Sequence, residues 1–167
     1  MDVALSFMEK AFTDRGLEQL LWNITGVEAL MGEDKSGLTS LLKKRVSYIL
    51  GNTEAEIALI KKVFQKLYDL RSEFIHGNEK LLDPKVVHYD LAQAREMARQ
   101  TALWMISYLN HVLNECEKNK TELPSRENLL AVLNLNKKNR TQTANILACL
   151  PNTFPRVPSW EMDKAKP

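Results

Sequence analysis

A helical signal with a marked beginning and end runs over residues 53–78, which read TEAEIALIKKVFQKLYDLRSEFIHGN. Thr53 is a good N-cap residue, and Glu56 three positions later completes a capping box. The apolar residues that follow define one buried arc of a helix, at Ile57, Ile60, Phe64, Leu67 and Phe74. Because Gly77-Asn78 is a stop signal, the segment predicts a helix that begins after Thr53 and ends near Ile75.

The helical period continues on both sides of this segment. Glycine and proline number only six each and fall at boundaries, and no segment alternates as a β-strand does. Further helices are predicted at Asp2–Asp14, Leu17–Met31, Leu38–Leu50, from Pro84 to about Glu117 with Asp83 as its cap, from Ser125, and near Thr141–Leu150. We therefore expect an all-α protein with a bundle of four to five main helices in residues 1–120. Short additional helices in 121–150 pack on it, and a Pro-rich C-terminal tail occupies 151–167.

The charge balance and the cysteine content exclude several classes of protein. The 167 residues carry 23 Lys+Arg and 21 Asp+Glu, a net charge of +2. This is too balanced for a protein that coats nucleic acid by bulk charge, so any contact with RNA must be local. Cys116 and Cys149 form no CxxC pair and, with three histidines, make no convincing zinc site. We expect no metal and no other cofactor.

The chain also lacks the patterns of a secreted or membrane protein. Its most apolar stretch, Thr101–Leu113, is too short to span a bilayer. The first residues include Asp2 and Glu9 rather than a basic region followed by a long apolar run. Two cysteines in a chain of this size also favour reduced thiols. We expect a cytoplasmic protein that makes no membrane contact.

Three charged residues fall on apolar helical faces: Arg71, Glu28 and Arg45. Charged side chains are almost never fully buried unless they are paired. One interpretation is a structural salt bridge between Glu28 and either Arg45 or Arg71, or an arginine that extends its charged end to the surface. The other is a polar pocket in the helical core that receives an anionic group.

The segment 68–78 adds a titratable neighbour to Arg71. His76 follows Arg71 by five residues, which separates the two side chains by about 140° on a continuous helix. They meet one ligand only if the helix ends or kinks near His76, or if a second copy of the chain completes the site.

The string LYDLRSEFIHGN, residues 67–78, resembles the Arg-x4–6-His motif of HEPN domains, and most of all the Apea-like group with its Tyr-x-Leu-Arg-Ser-x-x-x-His-Gly pattern. Residues 26–31, GVEALM, resemble the Glu-Ala-Leu-Leu helix of that group. Lys44-Arg45-Val46 through Leu50-Gly51 resembles its Arg-Val/Ala-x-x-Leu-Leu-Gly helix. The resemblance covers residues 16–115. Ser72 stands where many HEPN nucleases have Asn, Asp or His, although Ser is usual in the Apea-like group.

The resemblance implies a HEPN-like helical bundle that forms a homodimer and cleaves RNA as a metal-independent endoribonuclease in prokaryotic anti-phage defence or a toxin–antitoxin system. His76 would be the general base or acid, Arg71 would hold the scissile phosphate, and Glu28 would orient Arg71 or share in proton transfer. The expected substrate-binding residues are Arg45, Tyr68, Ser72 and Asn78. An antitoxin or another defence protein is a possible partner.

Alternatives remain at several points. The domain is either this nuclease or a non-catalytic HEPN accessory that binds RNA or dimerises within a larger defence system; a weaker option is a plain helical adaptor. Tyr68 either stacks on a base or packs. The lysines near the motif form either a phosphate-binding strip or a solvated face: Lys43, Lys44, Lys61, Lys62 and Lys66. Trp104 and Tyr108 are expected to form a ridge that faces a dimer partner.

Overall fold

A computed structural model describes residues 2–33, 37–77 and 84–134 of the chain, and every regular element in these ranges is helical. The six α-helices are α1 (Asp2–Thr13), α2 (Gly16–Met31), α3 (Leu38–Leu50), α4 (Glu54–Ile75), α5 (Pro84–Asn119) and α6 (Arg126–Ala131), and a 3₁₀ helix follows at Val132–Asn134. The all-α class is confirmed, and helix α3 has the predicted bounds. The predicted helix near Thr141–Leu150 and the tail lie outside the described residues.

Helix α4 begins where its capping box predicts. The Thr53 side chain accepts a hydrogen bond from the Glu56 backbone N–H at 3.2 Å, and the Glu56 carboxylate accepts from the Thr53 N–H at 3.2 Å. At the other end, Gly77 has φ +72°, a left-handed backbone that glycine adopts without the steric cost of a Cβ. These two signals fix a helix of 22 residues, which carries Tyr68, Arg71 and His76 at or near its C-terminal end.

Helix α2 lies at the centre of the bundle and contacts α1, α3, α4 and α5. Helices α3 and α4 pack side by side and run in opposite directions. Two contacts show this: Lys43 near the middle of α3 bonds Gln65, whereas Tyr48 near the end of α3 contacts Lys61, which lies closer to the start of α4. The apolar side chains of the core that joins these helices include Leu20, Ile24, Val27, Leu42, Val46, Phe64 and Leu67. Burying each such side chain contributes about 1.5–3 kcal/mol.

The aromatic pair on α5 faces inward, not outward. Trp104 is 0 % and Tyr108 is 2 % exposed, and their rings stack with centroids 4.9 Å apart. Helix α6 lies beside them, and the Tyr108 hydroxyl donates to the Leu129 carbonyl at 3.3 Å. The expectation that this ridge faces a dimer partner is therefore wrong, because both rings are buried within their own chain.

No described helix could cross a membrane, because none of them combines the length and the apolar character that crossing a bilayer requires.

Candidate functional site

The candidate site is centred on Arg71, which α4 presents towards the last turn of α2. The Arg71 Nη2 and the Glu28 Oε2 lie 2.8 Å apart, and the two side chains are only 19 % and 15 % exposed. Of the two partners expected for Glu28, the structure therefore selects Arg71 rather than Arg45. The pair lies at the edge of the core, where solvent still reaches both groups.

Tyr68 lies one turn before Arg71 on α4 and contacts both members of this pair. Its hydroxyl donates a hydrogen bond to the Glu28 Oε1 at 2.9 Å, so the tyrosine takes one carboxylate oxygen and the arginine takes the other. The Tyr68 ring also lies beneath the guanidinium, with its centroid 5.4 Å from the Arg71 Cζ, which is cation–π distance. Three side chains from two helices thus restrict one another, and the guanidinium is oriented before any ligand arrives.

The surroundings of the Tyr68 phenol change its pKa. Burial raises the pKa of Tyr68 above its ordinary value of about 10. A hydrogen bond from the Thr39 side chain at the start of α3 opposes this rise, the Glu28 carboxylate adds to it, and the positive charge of Arg71 lowers it. Thr39 is a member of the site that the sequence did not identify.

The Tyr68 phenol is expected to ionise later than an ordinary tyrosine. Subtracting the alkaline absorbance titration of Tyr68→Phe from that of the wild type should leave one phenol with a midpoint above about 10. Since the folded protein holds this proton more tightly than the unfolded chain, its stabilising contribution is present below about pH 10 and is lost as pH rises further. A difference curve with an ordinary midpoint would contradict the burial of this hydroxyl.

Arg71 retains unused hydrogen-bonding capacity. Its Nε is buried and has no hydrogen-bond partner, whereas Glu28 is bonded through Nη2. A guanidinium has five N–H donors in a planar fork, a geometry that matches carboxylate and phosphate oxygens. A buried donor without a partner carries a free-energy cost, and this Nε has too little exposed surface to contact a ligand directly. The Arg71 side chain as a whole is partly exposed, so an anionic group would approach the guanidinium through its solvent-facing N–H groups, beside Glu28.

His76 lies at the end of the same helix. It is the C-cap residue of α4, its backbone N–H donates to the Ser72 carbonyl at 3.1 Å, and its side chain is exposed. Within the described residues, the imidazole forms no hydrogen bond and no ion pair. The helix does end at Ile75, but helical geometry still sets Arg71 and His76 about 140° apart in one protomer.

The remaining two motif residues are less informative. The Ser72 side chain is half-buried on α4, one position after Arg71. Asn78, the other expected substrate-binding residue, lies outside the described residues.

Arg45 has a different place from the one expected. It is 0 % exposed, and its guanidinium donates to the Met31 carbonyl, to the Glu33 carboxylate and, from Nε at 2.9 Å, to the Asn134 side chain. These bonds tie α3 to the end of α2 and to the 3₁₀ helix. With no exposed surface, Arg45 cannot touch a ligand in this arrangement, so its expected substrate-binding role does not fit the geometry and a structural role does.

The comparisons with known proteins add no assignment. No family model, no curated protein and no solved structure matches this chain.

Two other features of the surface bear on the site. In residues 2–33, 37–77 and 84–134, no group of three or more His, Cys, Asp or Glu side chains is placed to hold a metal ion. A groove of about 220 Å³ lies between the end of α2, α5 and α6, and it is lined by Ala29, Leu30, Met105, Leu109, Arg126, Leu129 and Leu130. This groove is mostly apolar, and neither Arg71 nor Tyr68 lines it, so it is separate from the candidate site.

Proposed function

We propose that this protein is a metal-independent endoribonuclease of the HEPN type and that it acts as a homodimer through Arg71 and His76. The observation that carries the proposal is the state of Arg71: Glu28 and Tyr68 orient its guanidinium, and its side chain still remains partly exposed to solvent. A histidine, the side chain that most readily exchanges a proton near neutral pH, follows at the end of the same helix. The resemblance of residues 67–78 to the HEPN motif supports the same assignment.

The proposed reaction uses the nucleophile that RNA itself carries. The 2′-oxygen attacks the adjacent phosphorus, and the bond from phosphorus to the 5′-oxygen of the next nucleotide breaks. A general base removes the 2′-hydroxyl proton, and a general acid protonates the departing 5′-oxygen. The products are a 2′,3′-cyclic phosphate and a free 5′-hydroxyl. Arg71 stabilises the charge that accumulates on the non-bridging oxygens in the transition state.

The second protomer has a specific task in this proposal. Because Arg71 and His76 of one chain lie on different sides of α4, a two-fold axis near the end of this helix brings the Arg71 of each chain towards the His76 of the other. One imidazole then serves as base and the other as acid. Glu28 holds Arg71 in position, while Tyr68, Ser72 and Asn78 are the proposed contacts to RNA.

The end chemistry of the cleavage products tests the proposal. Wild-type protein incubated with tRNA or mRNA in EDTA should produce fragments that end in a 2′,3′-cyclic phosphate or its opened form. Native mass spectrometry of the same sample should show two chains per particle. Fragments that carry 3′-hydroxyl ends, or cleavage that requires added divalent ions, would contradict this mechanism.

A second candidate is a HEPN accessory without catalysis, which binds RNA or dimerises beside a separate effector, an antitoxin or another cytoplasmic defence protein. The observation that favours it is that Glu28 and Tyr68 engage Arg71 as they would in a purely structural pair. A dimer that binds RNA and leaves it intact under all the conditions above would favour this candidate.

A further inference from the structure

Two lysines lie over one aromatic ring in the seam between α3 and α4, and a third lies beside them. The Lys44 Nζ lies 5.8 Å and the Lys61 Nζ 5.4 Å from the centroid of the Tyr48 ring. Lys43, the neighbour of Lys44 on α3, donates to the Gln65 side chain at 2.8 Å, one turn along α4 from Lys61. The seam therefore holds three ammonium groups, two of them over a half-buried ring.

These ammonium groups lack the carboxylates that usually accompany lysines packed between helices. Among the described residues, Lys43, Lys44 and Lys61 form no ion pair; Lys44 donates to the Asn134 carbonyl at 2.6 Å instead. Another lysine on α4 shows the contrast, since Lys66 pairs with Asp90 at 2.5 Å. Bringing like charges together without counter-charges raises their electrostatic energy, and an anion bound at the seam would lower it.

The seam leads to the candidate site. Tyr48 faces Lys61, Lys43 faces Gln65, and Thr39 reaches Tyr68, so these contacts follow one line along the two antiparallel helices. From Lys61 to Arg71 the axis of α4 rises about 15 Å. The line begins with positive charge that has no counter-charge and ends at the partly exposed Arg71 guanidinium.

We infer that the seam between α3 and α4 binds single-stranded RNA, with Lys43, Lys44 and Lys61 on successive phosphates and Tyr48 as a stacking surface for a base. A cationic track combined with an aromatic platform is the pattern by which proteins hold single strands without reading their sequence. This inference rests on the proposed function, because it makes the seam the path along which RNA reaches Arg71. An acidic protein partner would use the charges but would leave the ring without a role.

The test measures binding separately from cleavage. In a His76→Ala background, the affinity for a fluorescent single-stranded RNA of about 16 nucleotides is followed by anisotropy over a range of salt concentrations. Adding Lys43→Gln and Lys61→Gln should reduce the slope of log affinity against log salt by about 1.4, because each lost phosphate contact removes about 0.7. That change corresponds to about 25-fold weaker binding near 0.1 M salt. Tyr48→Leu should weaken binding about fivefold or more, and Tyr48→Phe should retain it.

Lys10→Gln is the matched control, since the Lys10 Nζ also lies over an aromatic ring, 4.7 Å from the Trp22 centroid, but on α1. It should leave both the affinity and the slope unchanged. The inference is overturned if the Lys43 and Lys61 changes alter binding no more than Lys10→Gln does. It is also overturned if they abolish binding of a polyglutamate peptide while RNA binding persists.

The two proposals fail in distinguishable ways. Binding that depends on the seam, together with RNA that stays intact with the wild-type protein, supports the seam and rejects the nuclease. Cleavage at full rate by the Lys43 and Lys61 variant, with unchanged RNA affinity, supports the nuclease and rejects the seam.

Discussion

Replacing His76 by alanine is expected to slow RNA cleavage by a factor of about 10²–10⁴, the usual contribution of one positioned acid or base. The fold should not respond, because the His76 side chain is exposed and forms no hydrogen bond within the described residues. Initial rates on a labelled RNA in EDTA measure the first effect. Native mass and the denaturant midpoint measure the second, and both should equal those of the wild type.

His88→Ala is the matched control for this substitution. His88 is also exposed and also lies on a long helix, but it belongs to α5 and not to the motif. Its replacement should leave the cleavage rate unchanged. Full-rate cleavage by both His76→Ala and Arg71→Ala would reject the proposed nuclease mechanism, whereas an equal loss in His88→Ala would show that the assay responds to something other than the site.

Arg71 gives a less direct test than His76, because its removal has two consequences. Arg71→Ala deletes the proposed phosphate contact and also leaves the Glu28 carboxylate, 15 % exposed, without its cationic partner. A loss of activity would then mix catalysis with a local rearrangement around Tyr68. The His76→Ala substitution separates a loss of catalysis from a structural rearrangement. His76 contributes to the proposed chemistry, but its side chain makes no contact that maintains the described fold.

The helical framework could be predicted because its signals are local. The capping box at Thr53 and the glycine at position 77 lie within one turn of the ends they define, and both act as predicted. The arc of α4 likewise identified Arg71 as a charge on an apolar face. Patterns of this kind depend on neighbours three or four residues away, which the sequence displays directly.

The partners of the buried charges could not be predicted, since they come from distant parts of the chain. Arg45 was one of two candidate partners for Glu28, but it bonds Glu33 in the loop after α2 and Asn134 beyond α6 instead. A helical wheel shows that Arg45 points inward and says nothing about which loop will meet it. Tyr108 was assigned to an interface for the same reason, because its hydroxyl bonds the carbonyl of Leu129, more than twenty residues later.

Arg45→Met is expected to lower the free energy of unfolding by about 3–5 kcal/mol, the cost of removing one partner from a buried ion pair. Methionine fills much of the volume but donates no hydrogen bond. The Glu33 carboxylate, 9 % exposed, then loses its ion pair with Arg45, and the Met31 carbonyl and the Asn134 side chain lose a donor. Urea or guanidinium denaturation, followed by circular dichroism of the helices, measures the change.

Arg99→Met is the control, because Arg99 forms an ion pair with Glu96 at 2.5 Å on the surface of α5, where its side chain is 43 % exposed. Solvent replaces such a pair at a cost of about 0.2–1 kcal/mol. Adding Glu33→Gln to Arg45→Met should recover part of the lost stability, because it removes the charge whose bond to the guanidinium the first substitution deletes. Equal effects of Arg45→Met and Arg99→Met would mean that Arg45 is solvated in solution. The guanidinium would then be available to a ligand, and the substrate-binding role expected for it would regain its physical basis.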